Sequence, residues 1–304
     1  MLRHTMTTRR RQVLTGLVFA SPFLLGFAVF IAYPVAASGY YSFTDLNLFQ
    51  PPNWVGWSNY TELAGDEDFW KALWNTLYLT AVGVPLSIVI SIAGAMMLNL
   101  PVRGQPVFRA LVYLPSIVPV VVGGYLWRWL LNTQYGFVNY FLGLIGIDGP
   151  GWLVEPEWGK PAIVLMTLWT VGGTTIIYLA ALKDVPKDLY EAASLDGAGP
   201  IARFRHITWP TLSPVTLFQV IVVTIAYLQI FTQPYLLAQT RLNTVGSGPG
   251  KSMLTYGMYL FQNAFSFLKM GKASAMAWLL FLVTLAITLV ILLSSRRWVH
   301  YGNR

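Results

Sequence analysis

The sequence predicts an all-α integral membrane protein, six transmembrane helices with one structured polar loop between the fourth and the fifth. Three observations carry that reading. Hydrophobic residues make up 55% of the 304 and charged residues 11%, against about 25% charged in soluble domains. Long stretches at 12–44, 72–102, 110–127, 161–182, 206–240 and 273–295 contain no Asp, Glu, Lys or Arg. So much apolar surface cannot be hidden in one soluble core, and the bilayer must act as solvent. The basic residues then sort to one side of the resulting topology.

A basic tail at 1–12, with Arg9, Arg10 and Arg11, precedes the first span at 13–37. Val35 and Ala37 could mark a cleavage site, but the apolar run exceeds a signal core of about 7–15 residues, so the span is read as retained. A loop at 38–70 follows, with Trp54, Trp57 and Tyr60 suited to a membrane interface. Further spans are expected at 73–99, 107–131, 161–182, 211–237 and 273–294, each meeting the need for about 20 apolar residues. A basic tail at 296–304 closes the chain. Arginines ahead of the first span hold the N-terminus in the cytoplasm, and six crossings return the C-terminus there. On this topology thirteen of the 20 Lys and Arg face inward, but only four of the 12 acids. The net charge of +8 is thus a matter of topology, and nucleic acid is not needed to explain it. Cysteine is absent, which excludes disulfides and thiolate chemistry.

The inward loop at 183–210 is more than a reconnection. Asp184, Pro186 and Asp188 give a helix start: a carboxylate cap, a residue of preset φ, and negative charge at the positive end of the dipole. Gly197, Gly199 and Pro200 stop that helix. Ala192, Ala193 and Ser194 keep one side thin enough for close approach by another surface, and Ile201 to Ile207 read as a short return helix. Glu191-Ala192-Ala193, then Gly197, Ile207 and Pro210 at their spacings, resemble the EAA loop of binding-protein-dependent ABC transporter permeases, with Trp209 where that pattern has leucine. The segment from Trp54 to Tyr60, Phe108-Arg109 through Tyr113-Leu114-Pro115-Ser116, and Gly248-Pro249 followed by Tyr256 to Phe265 resemble the carbohydrate, maltose-type branch.

The resemblance implies a multi-pass subunit of the prokaryotic inner membrane that moves a sugar-like solute. Its implied partners are a second homologous permease, an ABC ATPase dimer and an extracytoplasmic solute-binding protein. Glu191 becomes the expected charged contact with the ATPase, Ala192 and Ala193 the close approach, and Gly197 the turn, with Ile207 and Pro210 completing the pattern. The chain is then no enzyme and holds no cofactor, ATP and Mg²⁺ being bound by the ATPase subunits.

The residues agree with an external energy source. No ionisable side chain sits mid-span, whereas proton- and sodium-coupled carriers place charge there. Gly246-Ser247-Gly248-Pro249-Gly250-Lys251-Ser252 imitates a phosphate-binding loop, but Val245 takes the first glycine position and no strand precedes it. Asp66, Glu67 and Asp68 read as solvated outer charge. Span five carries the candidate solute path: Gln219, Tyr227, Gln229 and Gln233 project within about half of the helix circumference. Neutral hydrogen-bonding groups beside rings suit a sugar, whose hydroxyls need partners and whose C–H faces stack. Trp169, Thr170 and Thr174 on span four and Ser274 and Trp278 on span six are weaker candidates. The rival reading is a stand-alone secondary carrier or channel.

Overall fold

The structure, a computed structural model, describes residues 8–238 and 246–300, with side chains from residue 12 onward. Most of the tail expected at 1–12, the close of the tail at 296–304, and Arg241 and Val245 lie outside what is described. Among the described residues the fold is helical, with a single isolated bridge between Thr44 and Trp54. Gln12–Tyr41, Glu67–Asn99, Pro200–Leu228 and Met270–Ser295 are each long and apolar enough to cross a bilayer. Two bent pairs bring the number of possible crossings to six: Gln105–Ile117 with Val120–Leu130, and Pro156–Trp169 with Gly172–Lys183.

The expected straight helices at 107–131 and 161–182 are corrected by bends of 98° and 48°. Local chemistry explains both. Pro119 forces Val118 into an extended conformation, φ −64° and ψ 127°, which ends the first half-helix. In the second pair the break falls just before Gly172, where a Cβ would run into the Val112 carbonyl. The helices Gln105–Ile117 and Gly172–Lys183 can touch there only because that position has no side chain.

The fifth helix differs at both ends from the 211–237 expected. It starts at Pro200, so the return helix read at 201–207 is continuous with the span through a π-turn at Phe204–Thr208. That wide turn lies just before Pro210, whose ring would otherwise meet a carbonyl one turn back. The first span uses the same device, with a π-turn at Ala28–Ala32 ahead of Pro34. The fifth helix then ends at Leu228, and a separate helix runs Thr232–Leu237. Pro234 accounts for the gap, since a helix through it would set its ring against the Ile230 carbonyl. That carbonyl instead accepts the Thr255 hydroxyl at 3.1 Å.

The chain divides into two compact units, residues 1–65 with 263–278, and residues 66–262 with 279–304. In the first, the Asn59 carboxamide donates to the carbonyls of Ser42 and Thr44, both at 2.8 Å. The Gly271 amide donates to Leu46 at 3.0 Å, and a Cβ at Gly271 would strike the Thr44 carbonyl. Lys272 is only 5% exposed and pairs with Glu62 at 3.0 Å, while Lys269 reaches the same oxygen at 3.3 Å. The hydrogen bond from Lys272 is the main force holding the Glu62 carboxyl below its ordinary range. Trp278 donates to Ser38 at 3.2 Å and lies over Gly39, which makes it a packing residue within this unit.

In the second unit the helix Glu67–Asn99 is the central post, packed by Gly172–Lys183 and Trp209–Leu228. Its buried side includes Leu79, Gly83, Ser87, Ser91 and Ala95. Two of the acids expected as solvated charge, Asp66 and Asp68, have structural tasks. Asp66 caps this helix through the amides of Asp68 and Phe69 at 3.0 and 3.3 Å and also accepts the Tyr259 hydroxyl. Asp68 pairs with Lys251. The Asn75 carboxamide donates to the carbonyls of Lys251 and Leu254, both at 2.9 Å, so the 249–261 segment is pinned along the post. Within it the helix is Tyr256–Phe261, and a π-turn at Gln262–Ser266 follows.

Candidate functional site: a neutral cavity and a polar elbow

The gap after Leu228 builds a cavity. Its volume is about 320 Å³, and its lining includes all four residues proposed for the solute path: Gln219, Tyr227, Gln229 and Gln233. They are not on one helix face, as the spacing suggested. Gln229 is the residue at which the helix ends, and Gln233 sits on the next one. Thr167, Thr170 and Thr174 come from the bent pair of span four, and Ser87 from the central post. Thr170 and Thr174 therefore join the site and Trp169 is not in its lining, whereas Ser274 and Trp278 belong to the other unit. No Asp, Glu, Lys, Arg or His occurs in the lining.

Two side chains give this cavity chemical direction. Gln219 is 3% exposed and its carboxamide nitrogen has no hydrogen-bond acceptor. A buried donor left unpaired costs about 1–3 kcal/mol, so an acceptor brought by a solute gains affinity there. Tyr227 forms a wall, its hydroxyl 3.3 Å from Ser87 and its ring lying directly over Gly83. Any Cβ at Gly83 would overlap that ring.

The polar elbow is the second element. Glu191, Ala192 and Ala193 lie on the helix Lys187–Leu195, Glu191 and Ala192 exposed and Ala193 half-buried. Its start corrects the expected cap. Pro186 is the residue at the helix boundary with no side-chain hydrogen bond, and Asp184 ends the helix before it. Asp188 does lie in the first turn. The end is as glycine requires: Gly197 has φ +73°, and the amides of Ala198 and Gly197 donate back to Ala193 and Ser194 at 2.8 and 3.1 Å. Ile207 lies in the π-turn and Pro210 in the fifth helix, both half-buried, so they anchor the elbow and present less surface than Glu191.

Two hydrogen bonds make the elbow one piece with the fifth helix. The Tyr190 hydroxyl meets Thr208 Oγ1 at 2.8 Å, and Arg203 Nε donates to the Ala198 carbonyl at 2.8 Å. Sequence reasoning missed the two side chains that protrude most: Leu195 is 89% and Ile201 84% exposed, flanking the Gly197 turn. Apolar residues on either side of a turn in a polar loop were the available signal. The loop that imitates a phosphate cradle is otherwise engaged. Lys251 is paired with Asp68, and its carbonyl with Asn75.

Comparison with known proteins gives a consistent result. Residues 83–301 match the model of a family described as binding-protein-dependent transport system inner membrane component. A probable ABC transporter permease protein of Bacillus subtilis (strain 168), YesP, is 37% identical over 97% of this chain and 94% of its own. The trehalose/maltose transport system permease protein MalF of Thermococcus litoralis is 32% identical over 96% and 97%. A solved chain of a bacterial ABC transporter involved in import of the acidic polysaccharide alginate superposes with a TM-score of 0.78, at 26% identity over 95% of this chain and 96% of that one.

Proposed function

The chain belongs to the binding-protein-dependent transport system inner membrane components, and on that footing we propose that it is the permease subunit of an ATP-driven importer for a neutral sugar or related polyol. The carrying observation is the cavity: closely set neutral polar groups, one buried amide donor without an acceptor, and no charge in the lining. Sugar hydroxyls supply the acceptors. The trehalose/maltose relative supports this class. An acidic solute such as the alginate of the solved relative would find no cation in this lining.

The remaining parts follow the same reading. A second permease completes the pathway, an extracytoplasmic binding protein delivers the solute, and separate ATPase subunits bind ATP and Mg²⁺. Both termini and the 183–210 loop face the cytoplasm, where Glu191, Ala192, Ala193 and the turn at Gly197 engage an ATPase. Closure of the ATPase pair pushes the elbow, and the rigid link to the fifth helix passes that motion to Gln219 and Tyr227. Alternating access follows if the two helix arrangements differ in affinity for the closed ATPase pair.

Uptake by the assembled transporter in proteoliposomes tests the cavity. Gln219→Leu removes the donor at similar volume, and solute-stimulated uptake should fall about tenfold or more, as for one lost buried hydrogen bond. Unchanged uptake and unchanged preference among neutral sugars would remove this cavity from the pathway.

A further inference from the structure

The Phe108-Arg109 segment has no part in the cavity or the elbow, yet it carries an unusual charge. Arg109 lies about one turn into the helix Gln105–Ile117, and its Nε is buried with no acceptor. No acid among the described residues pairs with it. The guanidinium stands at the edge of a groove of about 540 Å³ formed with Ala110, Tyr113, Gly173, Ile176 and Ile177. Apart from Arg109 and the Tyr113 hydroxyl that lining is apolar, and Tyr113 and Ile177 are 43% and 44% exposed. Gly173 keeps the groove open: a Cβ built there meets nothing within 4 Å, whereas its neighbour Gly172 is packed against Val112.

An occupant must bring an anion to one end and apolar length to the rest. We infer that this groove binds an anionic phospholipid of the inner leaflet, its phosphate on Arg109 and an acyl chain along Gly173, Ile176 and Ile177. Arginine suits the task because its planar fork accommodates two phosphate oxygens and it stays charged in a poorly hydrated place. The inner leaflet follows from the cytoplasmic N-terminus proposed above, because two crossings return the 100–108 connection, just ahead of Arg109, to the same side. A partner helix is a poorer occupant, since it would have to carry an acid within an apolar face.

Native mass spectrometry of the assembled transporter in detergent tests this, titrated with phosphatidylglycerol or with phosphatidylcholine of the same acyl chains. Phosphatidylglycerol should bind more tightly, and Arg109→Gln should weaken it about fivefold, the share of one basic side chain at an anionic surface. Arg109→Lys should keep part of the difference. Gly173→Leu, which fills the groove with a better helix former and leaves Arg109 in place, should weaken lipid binding as well. Equal binding of the two lipids, or unchanged binding by both Arg109→Gln and Gly173→Leu, would overturn the site. So would displacement of the lipid by inorganic phosphate alone, or loss of the second permease from both variants. Binding in detergent is blind to sidedness, so an error in orientation leaves this measurement intact. A failed lipid measurement likewise leaves the transport reading intact.

Discussion

Gly83 and Tyr227 are the pair on which the cavity wall depends. Glycine in the middle of a long helix costs about 1 kcal/mol relative to alanine, so its place in the central post needs a reason. The reason is the ring of Tyr227, whose Cε1 and Cζ occupy the space a Cβ would take. The ring is buried and bonded at its hydroxyl to Ser87, which limits its retreat. Gly83→Ala should therefore overpack the site, costing about 1–3 kcal/mol and lowering the unfolding temperature of the purified complex, despite the gain in helix propensity. Tyr227→Ala removes the obstacle, so the double variant should be less destabilised than the two single losses combined. Strictly additive losses would mean that the two residues do not act as a pair.

The elbow shows what an element's sequence can and cannot disclose. Its helix, its glycine stop and its exposed Glu191 follow from helix formers bounded by Pro186 and Gly197, because capping and positive φ are local chemistry. The cap at Asp184 was a wrong reading, since the preceding helix extends far enough to take that residue as its own end. The breaks at 118–119, 170–171 and 229–231 were hidden for a different reason. Absence of charge marks a segment as lipid-compatible, but a bend depends on where Pro119 and Pro234 meet carbonyls and where Gly172 meets a neighbour. Gln229 and Gln233 were placed on one face by helical spacing, yet the unwound turn is what turns them toward the same cavity. The protruding Leu195 and Ile201 give the element its own test. Two apolar anchors in an ATPase groove are worth about 2 kcal/mol each if they act as interface hot spots. Leu195→Asp or Ile201→Asp should leave the protein in the membrane and weaken its association with the ATPase roughly thirtyfold, read by copurification and by solute-stimulated ATP turnover. Normal turnover in both variants would separate these side chains from coupling.

At the scale of the whole molecule the question is where the work comes from. The apolar runs hold no ionisable relay, and the glycine-rich stretch before Ser252 is committed to Asp68 and Asn75. A proton gradient acts through groups that change charge within the bilayer, and the cavity lining holds no Asp, Glu, Lys, Arg or His. A mechanical input at the elbow does have a route. Tyr190 is tied to Thr208 and Arg203 to Ala198, and the helix that follows runs unbroken from Pro200 to Leu228, past Gln219 and Tyr227 to the cavity. Displacement of the elbow must therefore move the donor and the wall together, whereas the unwound 229–231 turn can yield. Proteoliposomes holding both permeases without ATPase should then fail to accumulate labelled solute under either a proton or a sodium gradient. Addition of the ATPase, ATP and solute-loaded binding protein should restore accumulation against the gradient. Tyr190→Phe, which cuts one tie and keeps the ring, should lower solute transported per ATP hydrolysed while hydrolysis continues, because the elbow then moves without carrying the helix fully with it. Accumulation driven by an ion gradient alone would reassign the chain to the secondary carriers, and an unchanged transport-to-hydrolysis ratio in Tyr190→Phe would move the mechanical link elsewhere.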